Sequence, residues 1–189
     1  SAAAGVATSL NFEFVSYFFV NAFSQATVTF TSQNYAMCQI ERCRKIFREA
    51  MACAILMSGA TCLVFTLGAG VFSGLYTSNP EVIRYSIARM LIVESTQWLP
   101  ATYEVSGAAL RGMGISMLPA IVTLVGSCLF RFVWVYTVFA MSPTFQTLLA
   151  VYPVTWIITG CIMLTSYFII RRRLFAERSE CGTCTPLDF

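Results

Sequence analysis

The sequence predicts an all-α membrane protein, a polytopic bundle of five transmembrane helices. Hydrophobic residues make up 57% of the 189 residues and charged residues only 11%, whereas about 25% of a typical soluble domain is charged. Strand-like alternation of apolar and polar residues is absent, and helices satisfy their own backbone groups in lipid. Charged residues are missing from four long runs, 14–40, 50–80, 112–130 and 132–170. Runs of this length predict membrane crossings, because a helix spans the hydrocarbon core with about 20 apolar residues.

The first three spans are predicted at 3–34, 47–75 and 81–108. The stretch "YTSNPE" ends the second span, because Asn79 and Pro80 are turn formers. Pro80 also suits the first turn of the third helix, where its missing N–H breaks no helical hydrogen bond.

The fourth and fifth spans are predicted at 117–140 and 148–170, and the polar stretch "MSPTFQT" connects them. The chain then ends in a polar tail that contains "CGTC", with Cys181 and Cys184. One such pair supplies only two metal ligands, so a zinc site is disfavoured and reduced thiols are expected. The role of this pair is left open.

Lysine and arginine predict the orientation of the helices. The opposite loops hold no basic residue, and nine of the twelve basic residues fall on one side if the spans alternate: Arg42, Arg44, Lys45, Arg48, Arg111, Arg171, Arg172, Arg173 and Arg178. The positive-inside rule therefore places the carboxyl terminus in the cytoplasm and the amino terminus outside, in the plasma (inner) membrane.

The net charge of +3 requires no nucleic-acid partner, because the basic clusters flank membrane helices and face lipid head groups. The partner indicated is the lipid bilayer. The sequence has no histidine, no phosphate-binding glycine loop and no spaced set of metal ligands. An enzyme, a cofactor and a bound metal are therefore not expected.

Two carboxylates lie inside the third predicted span. A carboxylate at the bilayer centre costs at least about 2.5 kcal/mol, so such residues are functional candidates. Glu94, Gln97 and Glu104 fall on one helical face. Glu94 lies about 16 Å from the start of the span, near the midplane, and Glu104 lies near the cytoplasmic interface. We expect a cation or substrate site at this face, with Glu94 as its titratable group and Glu104 either in the site or paired in the loop.

Pro100 lies between these carboxylates and is expected to kink the helix. The kink would free the carbonyl of Thr96. Either this carbonyl is an oxygen ligand for a hard cation, or the kink serves helix packing alone.

The first span carries amides and a third carboxylate. Asn11, Asn21 and Gln25 share one face, where they either line a cavity or bond between helices. Glu13 lies deep if the helix starts near residue 3. In the fourth span, Arg131 either snorkels to the outer interface or pairs with Glu94 or with a substrate anion.

The segment "AALRGMGISMLP" predicts a tight cytoplasmic hairpin. Arg111 anchors it at the interface, Gly112 permits the turn, and Pro119 fits the first turn of the next span. Gly70 and Gly74, in "GVFSG", permit close helix packing elsewhere.

Several stretches, in their order and spacing, resemble one lobe of the MATE (multidrug and toxic compound extrusion) family. They are "FSQATVTFTSQNYA", "ERCRKIF", "LYTSNPEVI", "GAALRGMG" and "YPVTWIITG". The resemblance covers residues 1–173, as helices two to six of an incomplete six-helix lobe, most similar to the carboxyl-terminal one. Residues 174–189 then form a cytoplasmic tail.

The resemblance implies an antiporter with two six-helix lobes that exports drugs, organic cations and other small amphipathic compounds, driven by Na⁺ or H⁺. The first helix of this lobe and the amino-terminal lobe would be partners from the same polypeptide. In one branch of the family an acidic residue of the fourth helix binds the cation, and that position falls near Pro100 here. The alternatives are a flippase for a lipid-linked precursor, from the same superfamily, and a membrane scaffold fragment without transport activity.

Overall fold

The computed structural model describes residues 2–141 and 144–180, and within those ranges its regular structure is helical, without strands. The predicted pair Cys181 and Cys184 lies outside the described residues. The helices are α1 (Ala2–Ala36), α2 (Ile40–Leu67), α3 (Ala69–Tyr76), α4 (Pro80–Ile92), α5 (Pro100–Gly112), α6 (Met117–Leu124), α7 (Phe130–Trp134) and α8 (Phe145–Glu180).

Four helical segments are long and apolar enough to cross a membrane: Ala3–Ala36, Ile40–Leu67, Met117–Phe139 and Phe145–Ala176. They overlap the first, second, fourth and fifth predicted spans, although the second was predicted at 47–75 and its last part forms the separate helix α3. Large apolar side chains face outward along them, and Leu67 and Phe132 are 79% and 64% exposed. Such a surface suits lipid, and the chain is a multi-pass membrane protein.

The third predicted span is broken rather than continuous. α4 ends at Ile92, a 3₁₀ turn covers Glu94–Thr96, and α5 starts at Pro100. The expected free carbonyl is absent, because the amide of Leu99 donates to the oxygen of Thr96 at 3.0 Å. Pro100 therefore begins a helix, where it disrupts no hydrogen bond, instead of kinking one. Glu94 lies at this break.

The fourth span is also irregular. Between α6 and α7 the backbone forms a π-helical turn at Val125–Leu129, and a second one follows at Val135–Phe139. π turns inside helices are often found at functional sites. Arg131 lies in the short α-helical segment between the two turns.

α1 occupies the centre of the bundle and packs against α2, α4 and α5, while α5 also packs against α8. Close backbone approaches hold α1 in place: a Cβ added to Gly112 would lie 2.8 Å from Cβ of Thr31, and one added to Gly5 would lie 2.7 Å from Cβ of Tyr85. No atoms of other helices approach Gly70 or Gly74 within 4 Å. The close packing expected from "GVFSG" is therefore wrong, since these glycines face open space.

Candidate functional site

One face of α1 carries small polar residues that are buried throughout its length. Their spacing of three or four residues matches a single helical stripe. The hydroxyls of Thr8 and Thr27 bond to carbonyls within α1, so they pack inside the bundle without unsatisfied donors. The buried members of the stripe are Ser9, Glu13, Ser16, Val20, Ser24, Thr27 and Thr31.

The stripe carries a buried ion pair near the amino-terminal half of α1. Arg89 of α4 donates from Nε to Glu13 Oε1 at 2.6 Å and from Nη2 to Glu13 Oε2 at 2.9 Å. The hydroxyl of Ser9 also donates to Glu13 Oε1, at 3.1 Å. The sequence reasoning missed Arg89 and left the depth of Glu13 open. The available signal was a glutamate inside the first predicted span and an arginine inside the third.

Glu94 is fully buried, as predicted for the third span. The hydroxyl of Ser16, one turn along α1 from Glu13, donates to Glu94 Oε1. The thiol of Cys62 on α2 also approaches this carboxylate. Glu94 Oε2 makes no hydrogen bond. The 3₁₀ turn thus holds a carboxylate against α1 and α2 with one oxygen uncommitted.

Gln97 is buried beside the same break, and its Oε1 likewise makes no hydrogen bond. The structure therefore places two uncommitted side-chain oxygens, those of Glu94 and Gln97, three residues apart. Oxygen ligands of this kind suit protons and hard cations.

A cavity of about 390 Å³ lies between α2 and the break. Trp98 forms its aromatic wall, and Cys62, which approaches Glu94, lies in its lining. Apart from Thr66 and Ser95 the remaining lining is apolar or glycine: Ile55, Gly59 and Leu63.

Glu104 is paired and stands apart from this group. The hydroxyl of Tyr17 donates to Glu104 Oε1 at 3.0 Å, and Arg111 lies 3.8 Å from Oε2. The structure thus supports the loop-paired role for Glu104. Among the described residues, no group of three or more histidine, cysteine, aspartate or glutamate side chains gathers as a metal site would require.

The amides predicted on α1 lie off the buried stripe. Asn11 and Gln25 are exposed, and Asn21 is partly exposed. Asn11 bonds within its own helix, from Nδ2 to the carbonyl of Ala7 at 3.2 Å. The structure does not bring these three residues to Glu94, and their role in lining a cavity stays a prediction.

Two glycines are needed for the backbone path at the hairpin between α5 and α6. Gly112 lets α5 approach Thr31 of α1, and Gly114 takes a positive φ of 89° in the turn. A residue with a Cβ is strained in that conformation. The residue that permits the turn between α5 and α6 is therefore Gly114 rather than Gly112, which ends α5 and packs against α1.

Arg131 does not pair with Glu94, contrary to one of its two expected roles. Among the side chains that the structure describes, residues 3–141 and 144–176, no carboxylate lies within ion-pair distance of it. Its guanidinium instead lies 4.5 Å from the ring centroid of Tyr152 on α8. Arg131 is partly exposed, and its snorkelling toward the outer interface stays a prediction.

Comparison with known proteins identifies a family and a similar fold. A family model described as MatE matches residues 1–137. The fold is similar to a solved structure described as the inward-facing conformation of a multidrug resistance MATE family transporter of the MOP superfamily, with a TM-score of 0.73 and 15% identity. The match covers 93% of this chain and 40% of that one, so this chain spans less than half of that transporter. No curated protein gives a significant match.

Proposed function

This chain belongs to the MATE family, and from that premise we propose that it is part of a Na⁺- or H⁺-coupled antiporter. The transporter would export drugs and organic cations across the plasma membrane by alternating access. This chain would supply helices two to six of one lobe, and the same polypeptide would supply the first helix and the other lobe. Its carboxyl terminus would lie in the cytoplasm and its amino terminus outside, as the basic residues indicate.

One observation carries the coupling proposal: Glu94 is fully buried, and its Oε2 lacks a hydrogen-bond partner. A buried carboxylate in a membrane is costly unless it binds a proton or a cation for part of the cycle. Coupling requires that this binding differ between the outward and inward states. The break between α4 and α5 supports such a difference, because Glu94 is not fixed in a continuous helix.

The cavity beside the break supports small amphipathic substrates. Its volume of about 390 Å³ lies within the range usual for small-molecule sites. Trp98 offers an aromatic face on which an organic cation binds favourably. Cys62 lines this cavity and approaches Glu94, so an ion and a substrate would occupy neighbouring positions.

A flippase for a lipid-linked precursor is the second candidate. The observation that favours it is Arg89, a second arginine inside the bundle besides Arg131. Glu13 pairs with Arg89 and cancels its charge, however. Only one of the two arginines, Arg131, therefore offers an uncompensated positive charge to an anionic precursor. A scaffold without transport activity is the third alternative.

The test is dye efflux by the full-length transporter in proteoliposomes, under an imposed pH gradient and separately under a Na⁺ gradient. We expect Glu94→Gln to abolish gradient-driven efflux while leaving the protein folded. Glu49→Gln is the matched control, because Glu49 is an exposed carboxylate that pairs only with Lys45, at 3.7 Å. Efflux at the wild-type rate in Glu94→Gln would remove Glu94 from the mechanism. If neither the pH gradient nor the Na⁺ gradient drives dye efflux, the proposal of an antiporter is rejected.

A further inference from the structure

Two arginines from different helices face one aromatic ring. The guanidinium of Arg131 lies 4.5 Å from the ring centroid of Tyr152, and that of Arg89 lies 5.0 Å from the same centroid. Tyr152 belongs to α8, Arg89 to α4, and Arg131 to the segment between the two π turns. Three parts of the chain thus converge on this ring.

The charges in this cluster do not balance. Glu13 neutralises Arg89 through two hydrogen bonds, whereas Arg131 has no carboxylate within ion-pair distance in the part of the chain that the structure describes. The Nε of Arg131 is enclosed and makes no hydrogen bond. The cluster therefore carries one uncompensated positive charge and one free donor within a membrane-spanning bundle.

Snorkelling toward lipid head groups is the ordinary explanation for an arginine in an outer half-span. Two observations oppose it here. The Nε is shielded from solvent although the residue as a whole is partly exposed, and the guanidinium is held over the ring of Tyr152, 4.5 Å from its centroid. A guanidinium fixed on an aromatic face keeps its N–H edge for a carboxylate or a phosphate, which it binds through two parallel hydrogen bonds.

We infer that Arg131, supported by Tyr152 and by the Arg89–Glu13 pair, binds a singly charged oxyanion of an amphipathic molecule. The oxyanion is the carboxylate of a small molecule or the phosphate of a lipid, which share this recognition chemistry. The site is separate from Glu94. Binding at this site can be measured without transport, so the site does not depend on the export of cations.

The test uses the full-length transporter in micelles of a maltoside detergent, which carries no phosphate, and an amphipathic carboxylate dye, followed by fluorescence polarisation. We expect Arg131→Gln to weaken binding of the dye at least tenfold and Arg131→Lys to weaken it less. Arg84→Gln is the matched control and should bind normally, because Arg84 is exposed on α4, with its guanidinium 5.8 Å from the ring centroid of Tyr85. The methyl ester of the dye should bind Arg131→Gln and wild type alike. The inference is overturned if Arg131→Gln binds the dye as tightly as wild type does, or if the substitution weakens binding of the methyl ester as much as binding of the dye.

Competition on the wild-type protein keeps the test decisive if Arg131→Gln does not fold. Benzoate should displace the dye, and benzamide at the same concentration should not; equal displacement by both overturns the inference. Phosphatidylglycerol added to the micelles separates the two sources. Displacement of the dye by this lipid supports a lipid phosphate as the occupant, and undiminished dye binding supports a soluble carboxylate.

Discussion

Arg89 of α4 holds Glu13 of α1 in a two-point ion pair, with N–O distances of 2.6 and 2.9 Å. Both side chains are less than a tenth exposed. The pair joins two helices whose residues are far apart in the chain, and it removes two charges that would each be costly inside a membrane.

Breaking this pair on one side should be strongly destabilising. We expect Glu13→Gln to lower the free energy of unfolding by about 3–5 kcal/mol, because it leaves Arg89 buried and unpaired. Thermal unfolding in detergent measures the loss. Replacing both residues, as Glu13→Leu with Arg89→Met, should restore part of the stability. Glu41→Gln removes an exposed pair with Arg44 and should change stability by no more than about 1 kcal/mol. A Glu13→Gln protein as stable as this control would contradict the expectation.

Glu104 should matter less than Glu94. Its partners are Tyr17 and a partly exposed Arg111 at 3.8 Å, so Glu104→Gln should cost about 1 kcal/mol of stability. We expect gradient-driven efflux to continue in this variant. Abolished efflux in a folded Glu104→Gln protein would instead place Glu104 in the ion site, as one of the two sequence interpretations allowed.

Trp98 should contribute to the affinity for aromatic cations. We expect Trp98→Ala to weaken the binding of a cationic dye by about 0.5–2 kcal/mol, since the cation loses an aromatic face. Trp98→Phe should retain part of the affinity. The control is Trp134→Phe, because Trp134 donates to the carbonyl of Thr147, away from the cavity. Fluorescence titration in nanodiscs gives the affinities, and identical values for Trp98→Ala and wild type would exclude the cavity as the dye site.

Gly112 and Gly59 provide a matched pair for helix packing. Alanine at Gly112 would bring Cβ within 2.8 Å of Thr31 Cβ and 2.9 Å of the Val28 carbonyl, whereas Gly59 has open space around it. We expect Gly112→Ala to destabilise the protein by about 1–3 kcal/mol. Gly59→Ala should be neutral or stabilising by up to about 1 kcal/mol. Thermal unfolding of both variants side by side tests this, and equal midpoints would show that α1 and α5 are not tightly packed there.

The fold class was predictable because apolar runs of membrane length have few alternatives to helices. The predicted resemblance to the MATE family is confirmed by the family model and by the similar fold. The third span was predicted as one helix kinked at Pro100, whereas the structure has two helices with a break between Ile92 and Pro100; composition does not reveal whether a proline begins a helix or kinks one. The backbone bond from Leu99 to Thr96 decides that question.

The site was only partly predictable. Glu94 was identified because a carboxylate in an apolar span is conspicuous. Arg89 was missed because its partner Glu13 is 76 residues away in sequence, and no local pattern reveals such a pairing. The buried face of α1 was missed for a different reason: most of its polar groups are small hydroxyls, some of which bond within their own helix, as Thr27 does to Phe23, and others to a distant helix, as Ser24 does to the carbonyl of Glu104. Polarity alone favoured Asn11 and Gln25, which face outward.

The two π turns of the fourth span influence the direction in which Arg131 projects from the helix. A π turn holds about one residue more than an α turn, and one residue rotates a helical face by about 100°. Arg131 follows one such turn and precedes the other. Its orientation toward Tyr152 is therefore a property of the backbone path. Deleting one residue from 125–129 would leave an ordinary α turn and keep the guanidinium directed toward Tyr152, whereas deleting one residue from the α-helical part before it, 118–124, would rotate the guanidinium by about 100°.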